Sequence, residues 1–193
     1  MKKIHKSGIH KMSYLQNALA MMLIGVSLIG CDLLGQPDSS KKAATLARAV
    51  LSPTEGNQVK GEVIFSKMNN GVRVIAKVEG LTPGPHGFHI HEHGDCSAPD
   101  GTSAGGHYNP TNESHGCTDN QKRHVGDLGN IFADEAGRAY YERVDHVISL
   151  TGKHGIIGKA VIIHEKADDC KSEPTGDAGG RLACGVIEEL NRN

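Results

Sequence analysis

Val72, Val74, Ala76 and Val78 alternate with Arg73, Ile75, Lys77 and Glu79, a period of two that predicts a strand with one buried face. Residues 59–66 alternate less cleanly but join this strand through Asn70-Gly71, a tight hairpin turn. A second hairpin is expected where 129–133 meets 138–144 across Asp134-Glu135-Ala136-Gly137. Further strands are predicted at 46–52, 86–92, 158–164 and 182–187. Helical periodicity is nearly absent. Eight short strands separated by turn residues predict an all-β domain, an eight-stranded antiparallel barrel or sandwich.

Two stretches break the pattern. Residues 94–123 and 168–180 have no period and are rich in Gly, Pro, Asp and Ser. Loops of that length inside a compact domain are either disordered or functional. These contain His107, His115 and three of the domain's four cysteines, so metal and disulfide are expected to order them where no core can.

The first 30 residues read as a leader rather than as part of the domain. Residues 1–11 carry four lysines and no acid, and residues 18–30 are apolar except for Ser27. That apolar stretch is too short for a membrane span and has the charge asymmetry of a signal peptide. It ends in Leu28-Ile29-Gly30-Cys31, which resembles a bacterial lipobox with Cys31 as the lipidated residue; an ordinary signal peptide with a chance cysteine is the alternative. Residues 31–44 are then a polar tether from lipid to domain, and residues 45–193 suit one compact domain. The protein is thus expected to be exported, anchored to the membrane through Cys31 and facing the periplasm or the cell exterior. Without the four leader lysines, 17 basic residues face 22 acidic ones, a net charge of −5 that argues against nucleic acid as a partner. Cys96, Cys117, Cys170 and Cys184 remain in an oxidising compartment, which favours two disulfides in one of three connectivities. Thiolate ligation of a metal is the rival, without any C-x-x-C spacing to support it.

Ten of the 12 histidines lie after residue 80. His89 and His91 are two apart on a predicted strand, so their rings leave the same face and can chelate one ion. An ordinary polar strand face fits that spacing equally well. His107 follows Gly105-Gly106, where the backbone can approach closely. His107, His115, His124 and Asp127 have the donor mixture of a closed tetrahedral zinc site. His164 ends an aliphatic strand where it opens into a loop. His86, His93, His146 and His154 are read as solvated or structural, and Tyr140-Tyr141 as sheet packing.

The segments GFHIHEHGDC, SAGGHYNP, RHVGDLGN, IIGKAVIIHEKADD and GGRLACGVI together resemble the copper,zinc superoxide dismutases, in family order and across nearly the whole domain. The resemblance implies a Greek-key β-barrel that dismutates superoxide anion, using copper and zinc. It places copper on His89, His91, His107 and His164, and zinc on His107, His115, His124 and Asp127, with His107 shared. Asp168 falls where the family has an aspartate linking a copper histidine to a zinc histidine, here His89 and His115. Arg181 matches the arginine that receives the anion, and Thr175 the threonine that narrows the channel. Cys96 and Cys184 match the family disulfide in its bacterial placement, closing a loop of about 90 residues worth roughly 4–5 kcal/mol in chain entropy. Cys117 and Cys170 are not required by the family. They lie two residues after His115 and Asp168, so contact between those two would bring the cysteines into bridging range; two free thiols are the alternative.

The chain also departs from the pattern. The segment between Asp168 and Thr175 is shorter than in cytosolic eukaryotic members, and His93 and Glu189 place polarity and charge in the eukaryotic dimer patch. Gly94, Ile157 and Gly158 of that patch are kept. A monomer or a differently arranged dimer is therefore expected. The competing function is a copper- and zinc-binding lipoprotein for buffering or delivery. Such a binder needs neither a shared imidazole at His107 nor an anion-receiving Arg181.

Overall fold

The computed structural model describes residues 44–190; the leader, Cys31 and most of the tether lie outside them. Eight strands form: β1 Leu46–Pro53, β2 Lys60–Met68, β3 Gly71–Glu79, β4 Gly84–His91, β5 Asp127–Ala133, β6 Arg138–Asp145, β7 Ala160–His164 and β8 Arg181–Glu189. They close into one antiparallel barrel in the order β1-β2-β3-β6-β5-β4-β7-β8. The step from β3 to β6 and the return through β5 and β4 make the Greek-key crossover. One 3₁₀ turn, Thr102–Ala104, is the single helical element among the described residues. None of those residues forms a helix long and apolar enough to cross a membrane.

Alternation decides which residues face inward. In β3, Val72, Val74, Ala76 and Val78 are buried while Arg73, Lys77 and Glu79 are exposed. The same parity in β6 turns Tyr141 inward, edge-on to Phe88 at 5.0 Å. Tyr140 differs from the expected packing role: it is 59 % exposed, and its hydroxyl donates to Glu142 Oε2.

β7 is buried at all five positions because it is covered on both faces. Val161 and Ile163 join the barrel core, whereas Ala160 and Ile162 pack outward against Ala104, Cys184 and Cys96. The Cys96–Cys184 disulfide holds that cover in place, with Cα atoms 5.8 Å apart.

β4 carries the two-sided logic furthest. Phe88 and Ile90 enter the core, and His89 and His91 point outward yet are wholly buried under loops. The long loop is pinned to this strand by a three-segment junction. Tyr108 donates to the Ile90 carbonyl, Gly126 donates to the Tyr108 carbonyl, and Ile90 donates to the Gly126 carbonyl, each at 2.8 Å. This places His107 opposite His91 in an isolated bridge. β5 begins at Asp127, two residues before the expected start, so the carboxylate sits on the strand itself. A buried Arg123–Asp145 pair locks the loop's end to β6, and Asp145 Oδ1 also accepts the Val147 and Ile148 amides.

The junction tolerates no side chain at Gly126, where a Cβ would lie 2.1 Å from the Ile90 carbonyl oxygen. Gly126→Ala should destabilise the metal-free domain by about 1–3 kcal/mol, as overpacking does. Denaturant unfolding at equal slope measures this, and an unchanged midpoint would show that the loop is not fastened there.

Candidate metal centre

Two groups of donors converge among the described residues. His89, His91, His107 and His164 have ligand atoms within 4.8 Å of one another, and so do His107, His115, His124 and Asp127. All seven residues are buried. His107 belongs to both groups, which makes it the hinge of the arrangement.

The direction of each ring follows from what its outer nitrogen does. His89 Nε2 donates to Asp168 Oδ2 at 2.8 Å, leaving Nδ1 facing inward. His91 Nδ1 donates to the Gly105 carbonyl at 2.8 Å, and its Nε2 lies 3.3 Å from His164 Nε2. His164 Nδ1 reaches the Gly179 carbonyl at 3.4 Å. On the other side, His115 Nε2 donates to Asp168 Oδ1 at 2.8 Å. The Asp127 carboxylate gathers the second group: Oδ1 lies 2.7 Å from His107 Nδ1 and 3.2 Å from His124 Nδ1, and Oδ2 lies 3.2 Å from His115 Nδ1. The Gly116 and His124 amides complete its acceptor set at 3.0 Å each.

Three nitrogens are left over. His89 Nδ1 and His107 Nε2 are buried without a hydrogen-bond partner, and so is His115 Nδ1, whose 3.2 Å approach to Asp127 Oδ2 lacks hydrogen-bond geometry. An unmet buried polar atom costs about 1–3 kcal/mol, so three in one cluster require an explanation. Each faces one of the two groups, and donors within 4.8 Å need little movement to reach the edge of about 3.4 Å that tetrahedral Zn–N bonds dictate. Four imidazoles suit copper, and three imidazoles with one carboxylate suit zinc. The residues fit both metals.

Protonation agrees with that chemistry. Burial holds His91 and His164 well below the ordinary imidazole pKa, and neighbouring histidines lower them further. Burial also lowers His89, outweighing the Asp168 carboxylate, and brings His107 down to about 4. Such rings are neutral ligands at neutral pH. His115 behaves oppositely: burial lowers it, but the Asp127 and Asp168 carboxylates, one beside each ring nitrogen, win and raise it to about 10. Burial would raise Asp127, yet contacts with His107, His115 and His124 hold it far below the usual carboxylate range.

Asp168 connects the two halves and is itself clamped. Its amide donates to Asn130 Oδ1 at 2.7 Å, and Asn130 Nδ2 donates back to its carbonyl at 2.9 Å. Gly176, at φ +66°, passes so close that a Cβ would overlap Asp168 Oδ1 at 2.0 Å. The Asn130 clamp was invisible in the sequence because its partner lies 38 residues away. Cys117 and Cys170 are joined, with Cα atoms 4.9 Å apart, tying the His115 segment to the Asp168 loop. Arg181 uses its fork on two carbonyls, Gly101 and Gly105, at 2.7 Å each. The Gly105 oxygen is the one that also receives His91 Nδ1, so guanidinium and imidazole share an acceptor. Thr175 is half-buried in the turn that closes the short loop, its carbonyl accepting the Ala178 amide. Of the remaining histidines, His86 is structural: it is buried between the His164 and Thr82 carbonyls at 2.8 and 2.9 Å. His93 and His146 are exposed, and His154 contacts the Val147 carbonyl.

Comparison with known proteins places this geometry. A family model described as copper/zinc superoxide dismutase (SODC) matches residues 59–187. The chain is 44 % identical over 179 residues to an extracellular superoxide dismutase [Cu-Zn] of Drosophila melanogaster, covering 86 % of this chain and 98 % of that one. It is 48 % identical over 149 residues to superoxide dismutase [Cu-Zn] A of Xenopus laevis, covering 74 % and 97 %. Among solved structures, that of the clock protein EA4 superposes with a TM-score of 0.71 at 46 % identity, over 77 % of this chain and 97 % of that chain.

The His115–Asp127 pair gives a pH signature. In the metal-free domain the share from His115 is fully present below its ordinary pKa and is lost as pH rises through about 10; that from Asp127 is lost as pH falls through its depressed value. With its pKa raised to about 10, His115 would hold a proton at neutral pH that a zinc ion bound there would displace. Zinc uptake should therefore release about one proton, and affinity should rise about tenfold per pH unit between about pH 6 and 9. Titration calorimetry in buffers of different ionisation enthalpy counts the proton, and a pH-independent affinity would contradict the assignment.

Proposed function

This chain belongs to the copper/zinc superoxide dismutase family, and from that premise we propose how its own residues serve the reaction. The enzyme converts two superoxide anions and two protons into dioxygen and hydrogen peroxide, outside the cytoplasm, with copper and zinc as cofactors. We assign His89, His91, His107 and His164 to copper, and His107, His115, His124 and Asp127 to zinc. The supporting observation is His107, whose Nδ1 faces Asp127 while its Nε2 is buried and unpartnered toward the other three histidines. One ring so placed serves both metals. Bound copper supplies a centre that takes up and returns one electron, and bound zinc supplies positive charge without redox change.

The chain's residues supply the rest. Arg181 receives the anion: its position is set by the Gly101 and Gly105 carbonyls, and a guanidinium has five donors, so N–H groups remain for a small anionic substrate. Thr175 narrows the approach. His107 Nε2 is the buried site that holds a proton and hands it to the product. Asp168 keeps His89 and His115 in fixed orientations, as outer partners of ligating histidines do. Expected activity is fast dismutation by metal-reconstituted protein, and a fully metallated protein without activity would overturn the assignment. Arg181→Ile should cut the rate at least about tenfold, consistent with losing a charge-assisted hydrogen bond of about 1.5–3 kcal/mol. Its rate should depend less on salt, with metal content unchanged.

The two disulfides and the extracellular relatives support export. The bacterial lipoprotein form rests on Leu28-Ile29-Gly30-Cys31 and on the placement of Cys96, whereas the superoxide dismutases of Drosophila melanogaster and Xenopus laevis are animal proteins. In this reading residues 1–30 are removed, Cys31 carries the lipid and residues 31–44 tether the domain. We also propose that the eukaryotic dimer patch is not used in the same way, since Glu189 and the exposed His93 leave charge and polarity there. Full-length protein should partition into detergent, and Cys31→Ser should release it to the aqueous phase; equal partitioning of the two would remove the anchor from the scheme.

A further inference from the structure

Four of the five histidines that offer a single nitrogen to one metal have an outer nitrogen held by Asp168 or by a backbone carbonyl. The fifth is His124, whose Nδ1 faces Asp127 and whose outer Nε2 has the Glu173 carboxylate beside it, with Oε2 at 3.7 Å. That separation is an electrostatic contact rather than a hydrogen bond. The other oxygen, Oε1, accepts the backbone amide of His115 at 2.7 Å. One carboxylate therefore touches two members of the proposed zinc group, one through its ring and one through its backbone.

Glu173 is delivered on a short but well-braced loop. Asp169 Oδ1 accepts the Lys171 and Ser172 amides at 2.9 and 2.8 Å, and Ser172 Oγ donates to Asp169 Oδ2 at 2.6 Å. Gly176 closes the turn onto the Ser172 carbonyl at 2.7 Å, and the Cys117–Cys170 bridge fastens the loop to the segment that carries His115. We propose that Glu173 is a positioning residue for zinc, orienting His124 and fixing the His115 backbone. This inference rests on the assignment of zinc to that group. In physical terms, an anion beside Nε2 favours the tautomer with that nitrogen protonated, so that Nδ1 presents its lone pair to the metal.

Glu173 is half-exposed, so its substitution should not threaten folding. The test compares Glu173→Ala and Glu173→Gln with the unmodified, disulfide-intact protein. Readouts are zinc affinity by chelator competition, the visible spectrum of cobalt in the zinc group, and thermal stability of the metal-free form. Glu173→Ala should weaken zinc binding about tenfold, the lower end for loss of an outer partner. Glu173→Gln keeps an acceptor for the His115 amide but no charge, and should lose about threefold, as expected for a partly exposed ion pair. The cobalt spectrum should shift in both variants, and metal-free stability should stay constant in Glu173→Gln, which keeps an acceptor for the His115 amide. Unchanged zinc affinity in Glu173→Ala overturns the inference, as does a loss that merely follows a loss of metal-free stability. If the unmodified protein takes up no zinc, the underlying assignment fails first, and the two failures are told apart by that control.

Discussion

An imidazole offers a lone pair on one nitrogen only if its proton is kept on the other, and this constraint organises the whole centre. Asp168 holds His89 and His115 from outside, and the Gly105 and Gly179 carbonyls hold His91 and His164. Of the nitrogens left facing inward, His89 Nδ1 and His115 Nδ1 have no hydrogen-bond partner, and the Nε2 atoms of His91 and His164 have only each other, at 3.3 Å. Folding alone thus gathers buried nitrogens whose polar contacts are incomplete, and metal binding would complete them. Asp168 matters most because one carboxylate orients rings in both groups. Asn130, Gly176 and the Cys170 amide all serve to keep that carboxylate in place.

The barrel supplies rigidity, and the loops supply chemistry. A closed sheet has no edge strand to protect, so its outer face can be given over to a site. Long loops without a core of their own are ordered by other means: the Cys96–Cys184 and Cys117–Cys170 bridges, the Arg123–Asp145 pair and the Tyr108–Ile90–Gly126 junction. Each joins a loop to a strand or to another loop, and together they explain how polar segments stay buried without a hydrophobic interior.

The eight strands were legible in the sequence because most are buried on one face and so alternate visibly. β7 read as a strand from its aliphatic run, but its outer cover did not, since Ala104 and Cys96 are more than fifty residues away. The donor residues stood out by chemical type and by resemblance to known segments. Their outer partners did not stand out, because Asn130 and Glu173 are ordinary polar residues in polar surroundings. Nothing local distinguishes them. Tyr140 shows the reverse failing: parity with the inward-facing Ala139 and Tyr141 already assigns it to solvent, and grouping the two tyrosines hid that.

The clustered donor side chains come from β4, β5, β7 and the loops that lie on them, whereas β1, β2 and β3 contribute none. The molecule is therefore divided into two half-shells under different rules. One half must keep particular atoms at particular places. The other need only fill space and keep its hydrogen-bonding register, which many sequences can do. New surface properties such as a recognition patch, a fusion partner or altered charge can be added on the β2–β3 wall, which carries none of the clustered donors.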